Sequence, residues 1–158
     1  MFRNKKIPEA KEVSARIQKY CAFQERSVKE VRQKLAGWQV NESNTNKIVK
    51  ELVDLGFIDE KRFAVAFAKG KFHSNKWGRI KIAYGLKDKG LSEAVIQSAL
   101  EEIDENEYKE TLIKLIKAKA RSAGDINSFE ARSKIAVFMA GKGFEANLIW
   151  DAIKELSD

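Results

Sequence analysis

The single histidine, His73, is the side chain best suited to general base work at neutral pH, and a serine, cysteine or aspartate could use it in a transfer reaction. It sits in FHSNKWG, read as a polar connection, and nothing local supplies a nucleophile. The sequence therefore reads it as an ordinary surface residue. Cys21 is the only cysteine, which excludes an internal disulfide and a clustered thiolate metal site. No HExxH, paired-cysteine or EF-hand spacing provides another ligand set. The segment IAVFMAGKGFEA, residues 135–146, satisfies G-x-G-x-x-A behind an apolar run, and such glycines can admit a pyrophosphate to a helix N-terminus. That fingerprint needs a preceding strand in a βαβ unit and an acidic residue about 20 positions on, and neither is found before Asp158. Lys142, Gly143 and Phe144 instead repeat Lys89, Gly90 and Leu91, which reads as a helix C-terminus. Glu101, Glu102, Asp104, Glu105 and Glu107 read as helix-capping and solvated residues rather than a cation site. The expectation is a binding protein with no catalytic residue, cofactor or metal.

The strongest chemical signal is cationic. The chain has 158 residues and a net charge of +7, and the excess is not evenly spread. Residues 61–90 hold Lys61, Arg62, Lys69, Lys71, Lys76, Arg79, Lys81, Lys87 and Lys89 against one acid, Asp88, whereas residues 91–158 are net acidic. A segment so little neutralised attracts polyanions, either nucleic acid or an acidic protein surface. A fifth helix starting near Trp77 would align Lys76, Arg79, Ala83 and Lys87 in one stripe, and Arg62 and Lys69 lie seven apart on a fourth. Trp38, Trp77 and Trp150 fall near helix ends, where core packing or loop anchoring is the expected role.

Helices must position these groups. Hydrophobic residues make up 44% of the chain and charged residues 34%, with nine Gly and one Pro. Apolar residues recur three and four apart, and no stretch alternates with the period of two of a half-buried strand. Nine helices are expected. Pro8 opens the first, which carries Val13, Ile17, Tyr20 and Cys21. Ser27 and Glu30 form a capping box for the second, and Gly56 ends a third carrying Ile48, Val49, Leu52, Val53 and Leu55. Asp59 caps a fourth with Phe63 and Phe67 inward, and Ile58 and Phe63 are spaced as a hydrophobic staple. Gly90 stops the fifth, Ser92 caps the sixth, Asp104 to Glu107 suit the start of the seventh, Ser128 starts the eighth, and the ninth carries Ile149 and Ile153.

The helices form a repeat. Val31, Ile82 and Ile135 correspond, as do Leu35, Leu86 and Met139, then Val40, Leu91 and Phe144, at offsets of 51 and 53 residues. Ile96 and Ile149 continue the register, while Ile48 comes three residues late, which marks a small insertion around residues 42–45; the first helices of the units align only loosely. The expected fold is all-α: an N-terminal tail at 1–7 and three tandem three-helix repeats at 8–58, 59–103 and 104–158, stacked into an elongated, curved, right-handed-type array. No apolar run follows the basic N-terminus, so neither a signal peptide nor a membrane anchor is expected, and the expected location is cytoplasmic.

With these units in view, LGFIDEKRFAVAFAKGKFHSNKWGRIKIAYGLKDKGL, residues 55–91, resembles the signature of the RecX regulatory family. The matching positions are Gly56, Asp59, Arg62, Phe63, Ala64 and Phe67, then Gly78, Ile82, Leu86, Lys89 and Gly90. A weaker match extends through Arg26, Ser27, Glu30 and Leu35 and through Gly143 and Ile149. In two departures, the family's Asp-Asp pair is Asp59-Glu60 and its arginine after the fourth helix is Lys69 or Lys71, which keep the charge without the planar fork. The resemblance implies a monomeric, non-enzymatic modulator that binds the RecA recombinase filament on single-stranded or duplex DNA. It further implies inhibition of ATP hydrolysis, filament extension and strand exchange. The residues expected to contact the filament or DNA are Arg26, Lys61, Arg62, Lys69, Lys71, Lys76, Arg79, Lys81, Lys87 and Lys89. The competing reading is a nucleic-acid-binding helical module that acts without RecA.

Overall fold

The computed structural model describes residues 9–157, so Pro8 and the 1–7 tail lie outside the described residues. The described residues form nine helices and no strand: α1 (Ala10–Phe23), α2 (Val28–Gly37), α3 (Glu42–Asp54), α4 (Glu60–Asn75), α5 (Arg79–Asp88), α6 (Glu93–Glu101), α7 (Glu105–Ala123), α8 (Phe129–Gly141) and α9 (Ala146–Leu156). Local chemistry sets the starts. Ser27 accepts from the Glu30 amide while the Glu30 carboxylate accepts from the Ser27 amide, a complete capping box. Asn41, Asp59, Ser92, Asp104 and Ser128 cap their helices through side-chain oxygens. Gly56, Gly90 and Gly143 follow helix ends with positive φ, where a side chain would be strained.

Helices pack closely within consecutive triplets: α1 on α2 and α2 on α3, then α4, α5 and α6 mutually, then α7, α8 and α9 mutually. Burial reveals a tighter repeat than apolar spacing does. Val13, Ile17, Cys21, Val31, Leu35, Thr45, Val49 and Leu52 are buried, and 51 residues on so are Ala64, Ala68, Phe72, Ile82, Leu86, Ile96, Leu100 and Ile103. The first helices of units one and two therefore share the register, and residues 42–45 are not an insertion. They are the first turn of α3, in which Thr45 takes the place held by Ile96 and Ile149. A polar residue at that core position displaced the match to Ile48, which is only partly buried, and Val53 and Leu55 are exposed. In the third unit α7 breaks the offset, because it runs to Ala123 and a connection through Gly124 follows.

Two hydrophobic cores result. One holds only first-unit residues, Val13 to Ile58, and the other runs continuously through units two and three, Phe63 to Ile153. Ile58 and Phe63 thus belong to different cores and do not form the expected staple. The larger core is continuous because Tyr108 sits between Phe72 and Phe144, with ring centroids 5.7 and 5.1 Å apart. Full burial of side chains of this size stabilises by about 1.5–3 kcal/mol each.

Candidate functional site: a lysine corner between α4 and α5

Chain geometry at the end of α4 decides where the cations go. The helix runs to Asn75, so His73 lies in its last turn rather than in a connection, with Nε2 3.0 Å from Glu107 Oε1. Lys76 caps α4 in the left-handed conformation, φ 56°, and Trp77 and Gly78 turn the chain into α5. Lys76 is therefore not on the fifth helix, and the expected stripe with Arg79, Ala83 and Lys87 does not form. The corner instead gathers lysines from three elements. Lys71 Nζ of α4 and Lys81 Nζ of α5 stand 4.9 and 4.8 Å from the Trp77 ring centroid. Lys142, at the end of α8, donates to the Asn75 carbonyl at 3.4 Å. Lys71, Lys81 and Lys142 thus bear on one corner, and the exposed Lys76 precedes Trp77 in sequence.

Arg79 is withdrawn from this group. Its side chain is 18% exposed and lies over the Tyr108 ring, 3.9 Å from the centroid. Its guanidinium pairs with Glu145 at 2.7 Å and with Glu105. The Tyr108 hydroxyl donates to Glu145 and accepts from the Arg79 amide at 3.1 Å. Glu145 accordingly starts α9 without capping it, whereas Asn41 and Ser92 at the same repeat position do cap. Burial lowers the Arg79 pKa and its hydrogen bonds to Glu145 and Glu105 raise it, with a net rise, so Arg79 remains charged. Burial, followed by the hydrogen bond to Glu145, raises the Tyr108 pKa far above its ordinary value. Folding thus favours the protonated phenol; this stability is present below the ordinary phenol pKa of about 10 and is lost as pH rises beyond it. Tyr108→Phe is expected to flatten the fall of the unfolding free energy between roughly pH 10 and 11.5, as followed by denaturant titration.

The backbone beside this clasp is equally close. Gly78 N donates to Lys142 O at 2.7 Å and Ile80 N to Gly143 O at 2.9 Å, so the α4–α5 and α8–α9 connections pair directly. A Cβ on Gly78 would collide with the Gly143 carbonyl, and one on Gly143 would collide with Lys81. This explains why α5 starts on a glycine where α2 and α8 start on serine.

The other expected contact residues divide in two. Arg62 pairs with Glu25 at 2.5 Å and donates to Gly56 O, its pKa raised first by the hydrogen bond to Glu25. Lys89 pairs with Glu30 at 3.3 Å, and Arg26 bonds the Tyr20 carbonyl with its guanidinium 3.8 Å from the Tyr20 ring centroid. Arg62 and Lys89 therefore help hold unit one to unit two. Glu60 does the same by accepting from the Val28 amide at 3.2 Å, and Lys29 by donating to the Asp88 carbonyl at 2.6 Å. Lys61, Lys69, Lys76 and Lys87 are exposed and lack a carboxylate within ion-pair distance among the described residues. Sequence reading missed Lys142, Tyr108, Glu105 and Glu145; the net negative third unit following a net positive second was the available signal for the clasp. Trp150 is exposed rather than an anchor.

Among the described residues no cluster of His, Cys, Asp or Glu could hold a metal ion, and no helix is long and apolar enough to cross a membrane. Fold and site together define a helical protein of three-helix units whose second unit exposes lysines that meet no carboxylate among the described residues. Family models describe what is shared: the RecX second three-helix domain matches residues 59–100 and the third matches residues 106–153. The chain belongs to the RecX family.

Relatives include the regulatory protein RecX of Lactobacillus delbrueckii subsp. bulgaricus, 27% identical over 138 residues, covering 87% of this chain and 51% of the relative. The protein of the same name from Clostridium botulinum is 32% identical over 129 residues, covering 80% and 60%. The chain thus spans about half to three-fifths of the length of these curated relatives. The crystal structure of RecX from Lactobacillus salivarius superposes with a TM-score of 0.83 at 24% identity, covering 92% of this chain and 95% of the other. At that identity the likeness shows the fold.

Proposed function

We propose that this protein binds the RecA recombinase filament on DNA and restrains it, slowing ATP hydrolysis, filament extension and strand exchange without catalysing a reaction of its own. The observation that carries this reading is the corner at Trp77, where Lys71, Lys81 and Lys142 converge beside the exposed Lys76, none of them within ion-pair distance of a carboxylate among the described residues. Membership of a family whose relatives carry the name regulatory protein supports it. The cations available in unit two are ammonium groups, because Arg62 and Arg79 are both held by carboxylates. Ammonium groups meet phosphates as point charges, whereas bidentate reading of guanine favours the guanidinium fork. This favours contact along a polymer backbone over recognition of a base sequence.

Co-sedimentation with RecA filaments on single-stranded DNA tests the reading. The protein is expected to pellet with filaments well beyond the amount that pellets with the same DNA alone. Equal recovery with bare DNA, together with a steep salt dependence, would favour the nucleic-acid-binding reading without RecA. Recovery with neither would defeat both.

A further inference from the structure

The second helix of each unit presents an outward row whose chemistry changes along the chain. In α2 the row is Lys29, Gln33 and Ala36; 51 residues on in α5 it is Ile80, Tyr84 and Lys87; 53 further in α8 it is Ser133, Val137 and Ala140. Unit three therefore exposes Val137 and Ala140 beside a half-buried Ser133, where unit one exposes Lys29, Gln33 and Ala36. Val137 is 74% exposed although Ala131, Ile135 and Met139, on the opposite side of the same helix, are buried. Next to it a shallow groove between α7 and α8 is lined by Lys119, Ser133, Lys134, Val137 and Phe138. The ammonium groups of Lys119 and Lys142 stand 4.8 and 5.9 Å from the Phe138 ring centroid. The only carboxylate on α8 is Glu130, and it forms no ion pair among the described residues. An apolar strip rimmed by lysines gives a phosphate backbone nothing to place on Val137. It suits a protein segment that brings one aliphatic side chain to the strip and carboxylates to its rim. Lys142 belongs to this rim and to the corner at Trp77, so the two surfaces are continuous.

We infer that the groove at Val137 and Phe138 docks an acidic, aliphatic-bearing segment of the filament's protein subunit, while the lysines of unit two meet the DNA. This rests on the proposed binding to the recombinase filament and divides the labour within it. The test places p-benzoylphenylalanine at Val137 in the full chain and irradiates it with RecA filaments on single-stranded DNA. A covalent adduct to the recombinase supports the inference. An adduct to DNA, to a second copy of this chain or to its own residues 1–8 overturns it. In parallel, Val137→Asp is expected to weaken filament binding at least tenfold and to leave affinity for bare single-stranded DNA within twofold of the original. Equal effects on the two ligands, or none on either, would overturn the division of labour while leaving filament binding intact. An unsubstituted chain that does not bind filaments removes the inference together with the reading it rests on.

Discussion

Gly143→Ala is expected to lower the thermal unfolding midpoint by roughly 10 °C, because two independent penalties fall on one residue. Its φ is +93°, a conformation that costs a side chain on the order of 1–3 kcal/mol. The added Cβ would also press on Lys81 backbone and side chain, and forced overpacking costs a further 1–3 kcal/mol or so. A combined loss near 4 kcal/mol is a large part of the roughly 5–15 kcal/mol that holds a domain folded, and at this chain length each kcal/mol moves the midpoint by about 2–4 °C. Gly78→Ala meets the same wall from the other side, against the backbone of Gly143 and Phe144. Gly141→Ala is the internal control: it lies in α8 with no atom near its added Cβ, and alanine suits a helix better. The control is expected to melt at or slightly above the unsubstituted chain. If Gly143→Ala did so as well, the direct pairing of the α4–α5 and α8–α9 connections would be wrong.

Reversing the corner, as Lys71→Glu, Lys76→Glu, Lys81→Glu and Lys142→Glu together, is expected to weaken association with the RecA filament at least a hundredfold. Four cations become four anions, and each lysine that met a phosphate contributes about 0.7–0.9 to the slope of log affinity against log salt. The three of unit two should therefore lower the slope by about 2–3, which separates lost phosphate contacts from a general loss of structure. Helical content measured by circular dichroism is expected to be retained, because the four side chains pair with no carboxylate among the described residues and give up only ring contacts with Trp77 and Phe138 and one exposed hydrogen bond to Asn75. Arg79 does not belong in this set. Its removal would take from the part-buried Glu145 its charged partner and from the Tyr108 ring the guanidinium over it, and breaking such a pair costs on the order of a few kcal/mol. Loss of binding in such a variant would report a damaged clasp rather than a missing contact.

The contrast between Arg79 and Lys76 shows what the sequence could reveal. Helix starts were legible because Ser27, Asp59, Ser92 and Ser128 act within four residues of themselves. The charge of residues 61–90 was legible because it is a sum over neighbours. The fate of each charge was not, since Arg79 meets Glu145 across 66 residues of chain and Lys142 reaches Asn75 across 67. The repeat was half legible for a related reason. Ile82 and Ile135 announce their register by type, whereas Thr45 is polar in a core position, and Ala64 and Ala68 are small where Val13 and Ile17 are branched. Burial identifies these as equivalents; residue type alone does not. The two cores follow from the same long-range pairing, since the clasp and the Phe72–Tyr108–Phe144 stack fuse units two and three.

The rate of DNA-dependent ATP hydrolysis by RecA, measured on single-stranded DNA against increasing amounts of this protein, bears most directly on the assignment. Inhibition that deepens with protein, and that the fourfold lysine-to-glutamate variant fails to produce at the same concentrations, is the expected result. A rate unchanged by a molar excess of the folded protein would contradict it.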